Sequence, residues 1–276
     1  MSIPTSPASI VTNPSLVTLA AVKQWLNITD TNSDAVLTSL IAATSRRVIS
    51  ELSRGPTLAF RTINEVRGGT GTAFIMLKYW PVLAVTALMI NGTIYNPQTD
   101  IPFGSGYSWE AWEGGDTQGR QRLYCQSVCF DRYFNNINIT YTAGYQTADG
   151  AVAVASYTTI RPWISDQGVT DVLTGVAFTL VTGTPAAGQY TLSGGVYGFS
   201  AADIAANRAV VVLYSYLPED LQQAIIDVIA WHFRNRDRIG VMSKNIGGQE
   251  TVAFSQKAWG QITEDMIQKY REISPI

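Results

Sequence analysis

Few residues in this chain are equipped for chemistry, and they are scattered. Two cysteines, Cys125 and Cys129, stand in a C-x-x-x-C spacing, and there is one histidine, His232. A structural zinc site needs four ligands, two more than the cysteines supply. In a strand, residues four apart share a face but lie too far apart for a local disulfide. The pair therefore reads as two half-buried thiols in a β region. A serine or cysteine nucleophile needs a base within hydrogen-bond reach. His232 stands in a helical stretch beside Trp231, with no motif around either cysteine, and reads as a packed or interface side chain. The glycine-rich RGGTGTA, Arg67 to Ala73, lacks the lysine, the spacing and the following helix of a phosphate loop. It predicts a hairpin turn instead. The acidic residues show no calcium-loop spacing. Trp109 and Trp112 can stack on sugars, but an exposed aromatic loop fits a protein contact better. Arg234, Arg236 and Arg238 can touch phosphates, yet at a helix end they also complement the dipole and can pair with a neighbour. The expectation is a protein that is not an enzyme and has no cofactor and no metal.

The best organised stretch is Leu217 to Arg238, reading LPEDLQQAIIDVIAWHFRNRDR. Pro218 suits a first helical position. Glu219 and Asp220 favour the start, and the three arginines favour the end. Leu221, Ala224, Ile225, Val228, Ile229 and Trp231 recur at spacings of three and four, which predicts one strongly apolar side. Ile226, Ala230 and Phe233 widen it.

Totals bound the rest. The chain has 276 residues, 46% hydrophobic and 14% charged, with a net charge of −2. That is enough for a sizeable core, and the low charge points to broad buried or subunit-facing surfaces rather than disorder. No global basic character points to nucleic acid. No apolar run is long enough to span a membrane. MSIPTSPASIVTNPS has no secretory pattern, so a reducing cytoplasm is expected until assembly.

In chain order, residues 1–17 read as a flexible arm rich in Ser, Thr and Pro. Thr18 caps a short helix to Leu26, with Leu19, Val22, Trp25 and Leu26 inward. Ser33 or Asp34 starts a second helix to Leu52, with Leu37, Leu40, Ile41, Thr44, Val48 and Leu52 as its buried stripe. Gly55–Pro56 follows it. Strands are predicted over 73–77, 82–90, 93–95, 123–129 and 137–141. Asn91–Gly92 marks a hairpin, and 103–119 reads as a long aromatic loop. Residues 146–216 are poor in charge and read as a small all-β module, with strands over 176–181, 189–193, 196–199 and 209–216 and a tight turn at Gly194–Gly195. Residues 239–256 read as a loop. Thr263 caps a last helix to Tyr270.

The order of these parts resembles the head–tail connector proteins (adaptor or head-completion proteins) of tailed double-stranded DNA bacteriophages. The resemblance rests on LPEDLQQAIIDVIAWHFRNRD, on the two opening helices, and on KYWPVLAVTALMINGT and NNINITYTAGY. In that family a YTAGY-like strand end leads straight into the proline–acidic helix; here 146–216 intervene. The fold expected is α+β: a small helical bundle core, an antiparallel β region and an inserted all-β module. The parts are an arm (1–17), a first core part (18–145), the insert (146–216) and a second core part (217–276).

The resemblance implies a structural virion protein of the phage neck, made in the host cytoplasm. It implies a homo-oligomeric ring, usually of twelve copies, docked on the portal protein. The ring would extend the DNA channel, pass the genome without sequence specificity, and offer a platform to stopper or tail proteins. Portal contact maps to Met266, Ile267, Tyr270, Arg271, Ile273 and Ile276. Ring or channel surfaces map to Trp231, Phe233, Arg234, Arg236 and Arg238. Tyr107, Trp109 and Trp112 are the candidates for tail or stopper contact. The insert would brace neighbouring subunits or contact the capsid. The alternative is a carbohydrate-binding or adhesin-like virion module using the aromatic loop and the insert.

Overall fold

The computed structural model describes residues 15–53, 57–98, 106–110, 121–126, 130–236, 243–246, 250–253 and 261–271. The chain divides into two compact units, Met1–Thr57 with Asp220–Gln268, and Leu58–Glu219 with Lys269–Ile276. It is a mixed α+β protein with five helices and mostly antiparallel sheets among the described residues.

Helix α1 (Leu19–Leu26) starts where Thr18 accepts the Ala21 N–H at 3.2 Å, satisfying one orphan donor of the first turn. It stops at Asn27, whose φ of 57° suits asparagine. Val22 is buried, but Trp25, expected inward, is exposed. Leu19, Val22 and Leu26 fall on one side of so short a helix and leave Trp25 at its margin. Helix α2 (Asp34–Leu52) buries Leu37, Ile41, Thr44, Val48 and Leu52 as the spacing predicts, and Ser45 and Ile49 besides. Ser45 is tolerated there because its Oγ accepts the Leu16 N–H at 3.1 Å. The Lys23 ammonium meets Asp34 at 2.7 Å and the Asp30 carbonyl at 2.6 Å, tying α1 to the start of α2.

The first β region contains β1 (Arg61–Arg67), β2 (Phe74–Met76), β3 (Val82–Ile90), β4 (Thr93–Tyr95), β5 (Gly106–Trp109), β6 (Arg122–Gln126) and β7 (Ile137–Ala143). They form two antiparallel sheets in the orders β1-β7-β3-β4 and β2-β6-β5. Alternation in INITYTA turns Ile137, Ile139, Tyr141 and Ala143 inward, where they meet Val85, Leu88, Ile75, Leu123 and Phe130. Asn91 (φ 51°) and Gly92 (φ 80°) close the two-residue turn from β3 to β4, with Ile90 opposite Thr93.

Two sequence expectations fail in this region. RGGTGTA is not a hairpin turn: β1 pairs with β7 and β2 with β6, so Arg67–Ala73 crosses between sheets. Its glycines answer a close approach. A Cβ on Gly68 would stand 2.6 Å from the Tyr133 carbonyl oxygen, and one on Gly69 would collide with the carbonyl oxygens of Phe130 and Asp131. Second, the long aromatic loop contains a strand, β5, which its glycine and aromatic composition concealed.

Residues 146–216 supply β8 (Gln146–Val152), β9 (Tyr157–Thr158), β10 (Trp163–Asp171), β11 (Thr179–Leu180), β12 (Gln189–Ser193), β13 (Val196–Phe199), α3 (Ala201–Ala205) and β14 (Ala209–Tyr216). Their ladders join only strands of this stretch, in the orders β10-β14-β8 and β11-β12-β13-β9. The stretch is therefore not all β. Helix α3 exists because Ser200 Oγ accepts the Asp203 N–H at 3.1 Å. The strand expected over 176–181 shrinks to Thr179–Leu180, because Val176 belongs to a turn closed onto Asp171.

Helix α4 (Glu219–Arg234) follows, burying Leu221, Ala224, Ile225, Ile226, Val228, Ile229 and Ala230. β15 (Ser243–Ile246) and β16 (Glu250–Ala253) form an antiparallel ribbon where a loop was expected, since four-residue strands are too short to show a period. Helix α5 (Gln261–Tyr270) closes the described chain. No helix among the described residues is long and apolar enough to cross a membrane.

Candidate functional site

Among the described residues, no group of His, Cys, Asp and Glu could hold a metal ion. Cys125 is a buried thiol whose pKa burial pushes up, the opposite of an activated nucleophile. His232 is half-buried with its ring against the Trp231 edge, centroids 5.3 Å apart. Desolvation, and then the Arg47 charge, hold its pKa below the ordinary value, so it is a neutral packed imidazole at pH 7.

The residues expected to meet partners fall into three situations. Trp231 and Phe233 are half-buried and Arg234 and Arg236 are exposed at the end of α4, with the Arg236 guanidinium 4.4 Å over the Phe233 ring. By helical spacing, Trp231 and Arg234 fall on one side of the helix end, and Phe233 and Arg236 on another. Tyr107 is not a surface residue: it is fully buried, and its hydroxyl donates to the Val85 carbonyl at 3.1 Å. Trp109 is half-buried against the same core. Ile267 and Tyr270 are likewise interior, while Met266 is half-buried and Arg271 exposed. Trp112, Arg238, Ile273 and Ile276 lie outside the described residues.

Tyr270 completes an aromatic cluster. Its ring stacks on Trp80 (6.2 Å, 15° between planes) and meets Tyr145 edge-on at 6.1 Å. Tyr145 in turn meets Trp80 and Tyr216 edge-on, at 6.2 and 5.7 Å. The Arg161 guanidinium covers Tyr216 at 4.4 Å and reaches Glu219 at 3.6 Å. The cluster gathers the residue before β8, the last residue of β14 and the end of α5.

The stretch 146–216 holds only six charged residues, and every one is engaged. Asp149 accepts from Tyr157 and Tyr214 hydroxyls and the Ile160 N–H. Asp166 accepts from the Tyr190 and Tyr197 hydroxyls. Arg208 bridges Asp171 and Asp203 at 3.3 and 3.1 Å, and Arg161 is placed as above. Burial, then the bond to Asp149, raises the Tyr157 phenol to about 12. Tyr190, Tyr197 and Tyr214 are raised further, by burial first. A folded pKa above the ordinary value near 10 gives a stabilisation that is full below pH 10 and lost as pH rises through the folded value. Phenolate absorbance should therefore rise in two stages, with Tyr157, Tyr190, Tyr197 and Tyr214, together with the raised Tyr107 and Tyr141, titrating late as the fold around them opens. A single transition near pH 10 in the folded protein would contradict the network.

The chain matches no protein-family model and no curated protein.

Sequence reasoning passed over Tyr133 and Phe134, and Leu173. Phe134 and Leu173 stand in turns and Tyr133 just before one, where no period marks which side chains face out. The available signal was their composition: a bare aromatic pair in DRYFNN and a bare leucine in DVLTG.

Proposed function

We propose that this protein is a structural component of the neck of a tailed phage virion: a non-enzymatic head–tail connector that assembles as a ring on the portal protein, passes genomic DNA and receives stopper or tail proteins. The observation that carries the reading is the meeting of the two ends of the intervening stretch. The Tyr216 N–H donates to the Tyr145 carbonyl at 3.2 Å, and β8 and β14 run antiparallel from there. A module whose ends touch can interrupt a parent chain without disturbing it. Without residues 146–215, the parent reads as two helices, an antiparallel β region, a proline–acidic helix and a terminal helix, the connector order. In this reading, helices α1, α2 and α4 are the bundle core, and Trp231, Phe233, Arg234 and Arg236 face ring neighbours or the channel.

Portal contact then falls on Met266, Arg271 and the residues beyond, with Ile267 and Tyr270 serving as the anchor that holds α5. The glycan-binding alternative would rest on Trp109, which is half-buried against the β core, on Trp112, which lies outside the described residues, and on the insert.

The test is excision. Replacing Gln146–Ser215 by a Gly–Ser linker should leave a soluble protein with the helical signal of the parent and with portal binding retained. An unfolded remainder, or a folded one that no longer binds the portal, would contradict the reading.

A further inference from the structure

Asparagine followed by glycine occurs once in the chain, at Asn91–Gly92, and aspartate followed by glycine once, at Asp149–Gly150. Both pairs invite one reaction. A glycine nitrogen has no neighbouring Cβ to hinder its attack on the side-chain carbonyl carbon one residue before, and a five-membered succinimide results. The fold treats the two places in opposite ways.

Asp149–Gly150 lies inside β8, with Gly150 opposite Val211 in the ladder. Asp149 is buried, and its Oδ2 accepts the Tyr157 and Tyr214 hydroxyls and the Ile160 N–H. A carboxylate is a poor electrophile to begin with. Ring closure also needs the backbone to rotate between the two residues, which the ladder resists.

Asn91–Gly92 is open. Both residues are exposed, and they form the two-residue turn between β3 and β4. Nothing lies within 4 Å of the place a Gly92 Cβ would take. Among the described residues the Gly92 N–H meets no acceptor, so the nitrogen that must attack is open to solvent. The carboxamide it would attack is held at its oxygen: Asn91 Oδ1 accepts the Asn136 Nδ2–H at 3.0 Å, while Asn91 Nδ2 stands 3.5 Å from Asp131 Oδ2. A donor on that oxygen stabilises the negative charge that grows there as the nitrogen attacks.

We infer that Asn91 is a site of spontaneous deamidation in the folded protein, and that its conversion releases the loop 131–136. The Gly92 nitrogen bonds to Asn91 Cγ, the Cγ–Nδ2 bond breaks, and the Gly92 amide proton leaves with Nδ2 as ammonia. Water then opens the succinimide at one carbonyl or the other, giving aspartate or isoaspartate.

Either product strikes the joint that holds the loop. The Asn91 N–H also donates to the Asn136 carbonyl at 2.8 Å. Asn136 in turn accepts the Gly69 N–H at 3.1 Å and donates to the Asp131 carbonyl at 3.1 Å. Aspartate puts a carboxylate oxygen where Nδ2 stood, beside the Asp131 carboxylate, and like charges that close repel. The nearest cation in sequence, Arg132, is directed to the Thr70 carbonyl at 2.9 Å. Isoaspartate adds a backbone atom to a two-residue turn whose length sets the pairing of Ile90 with Thr93. The loop so loosened carries Tyr133 and Phe134, 68% and 91% exposed. The chemistry is the same whatever the protein binds.

The test uses the full chain. The folded protein is held in warm, mildly alkaline buffer and its peptides are mapped by mass over time. The Asn91 peptide should convert on the order of tenfold faster than any other asparagine peptide, to aspartate and isoaspartate, while the Asp149 peptide stays unchanged. An Asn91 that stays intact in the folded protein, although the urea-unfolded chain converts there, would overturn the site. Conversion of the Asp149 peptide at a like rate would overturn the protection assigned to β8. Two variants test the consequence. Asn91→Asp carries the charge from the start; Asn91→Gly keeps the turn without it, since glycine accepts the positive φ. Both should fold, which circular dichroism checks. Chymotrypsin should cut after Tyr133 and Phe134 several times faster in Asn91→Asp than in Asn91→Gly, and added salt should narrow the gap by screening the two carboxylates. Equal cutting of the two, or a gap that salt leaves unchanged, would overturn the release of the loop.

Discussion

Tyr270→Ala should cost the isolated protein about 3–5 kcal/mol, the range for deleting a buried aromatic ring. For a chain of this size that is a fall in Tm on the order of 10 °C. The ring is fully buried, stacked on Trp80 and edge-on to Tyr145, and the Lys269 ammonium lies 5.2 Å above it. Truncation removes its buried area and leaves a cavity lined by Trp80 and Tyr145, whose mutual geometry depends on the missing ring. Tyr270→Phe keeps the packing and should stay within about 1.5 kcal/mol of the parent. The pair of variants separates two roles for one residue. If Tyr270 were a surface anchor for a partner, alanine would spare the isolated chain and weaken only the complex. Thermal unfolding of the protein alone decides it, and a variant as stable as the parent would refute the packing described.

Asp149→Ala is the second large expected effect, on the order of 3–5 kcal/mol. One carboxylate oxygen, Oδ2, accepts three donors: the Tyr214 hydroxyl at 2.8 Å, and the Tyr157 hydroxyl and the Ile160 N–H at 3.0 Å each. Tyr214 itself accepts the Arg161 N–H at 3.0 Å, so the network runs from β8 through β14 to the residue that covers Tyr216. Alanine leaves the fully buried Tyr214 phenol without its acceptor and unable to recover the water it lost on folding, while the half-buried Tyr157 hydroxyl and the N–H of exposed Ile160 lose theirs at less cost. Asp149→Asn should be milder, since an amide oxygen can occupy the Oδ2 position and keep the three donors satisfied. Amide exchange should show the loss concentrated in β8 and β14, with β3 and β7 protected as before. Uniform loosening of both β regions, or no loosening at all, would count against the network.

Much of this fold is legible in the sequence where a period or a turn residue is strong. INITYTA alternates cleanly, Asn91–Gly92 and Gly194–Gly195 fix two-residue turns, and the apolar side of α4 recurs every three or four residues. β8 and β10 were hidden because QTADGAV and WISDQGVTD are polar and hold glycine; they form because AVVVLYSY of β14 lies between them and supplies the apolar face. The candidate surfaces were less legible, for a single physical reason. Residue type says what a side chain can do, and burial decides whether it is free to do it. Tyr107 and Tyr270 have the right chemistry for an interface and are committed to the core. Phe134 and Leu173 have core chemistry, and hydrogen-bonded turns hold them outside. The folding of turns depends on distant backbone, here Gly68, Gly69 and Asn91 beneath one loop, and no local window of sequence contains that information.

The most direct measurement is the mass of the purified protein with and without the portal of the same particle. The connector account predicts a stoichiometric multi-copy complex on the portal, in which the protein forms a ring coaxial with it. A protein that stays at its own mass in the presence of portal, with both components folded, would contradict the account at its centre.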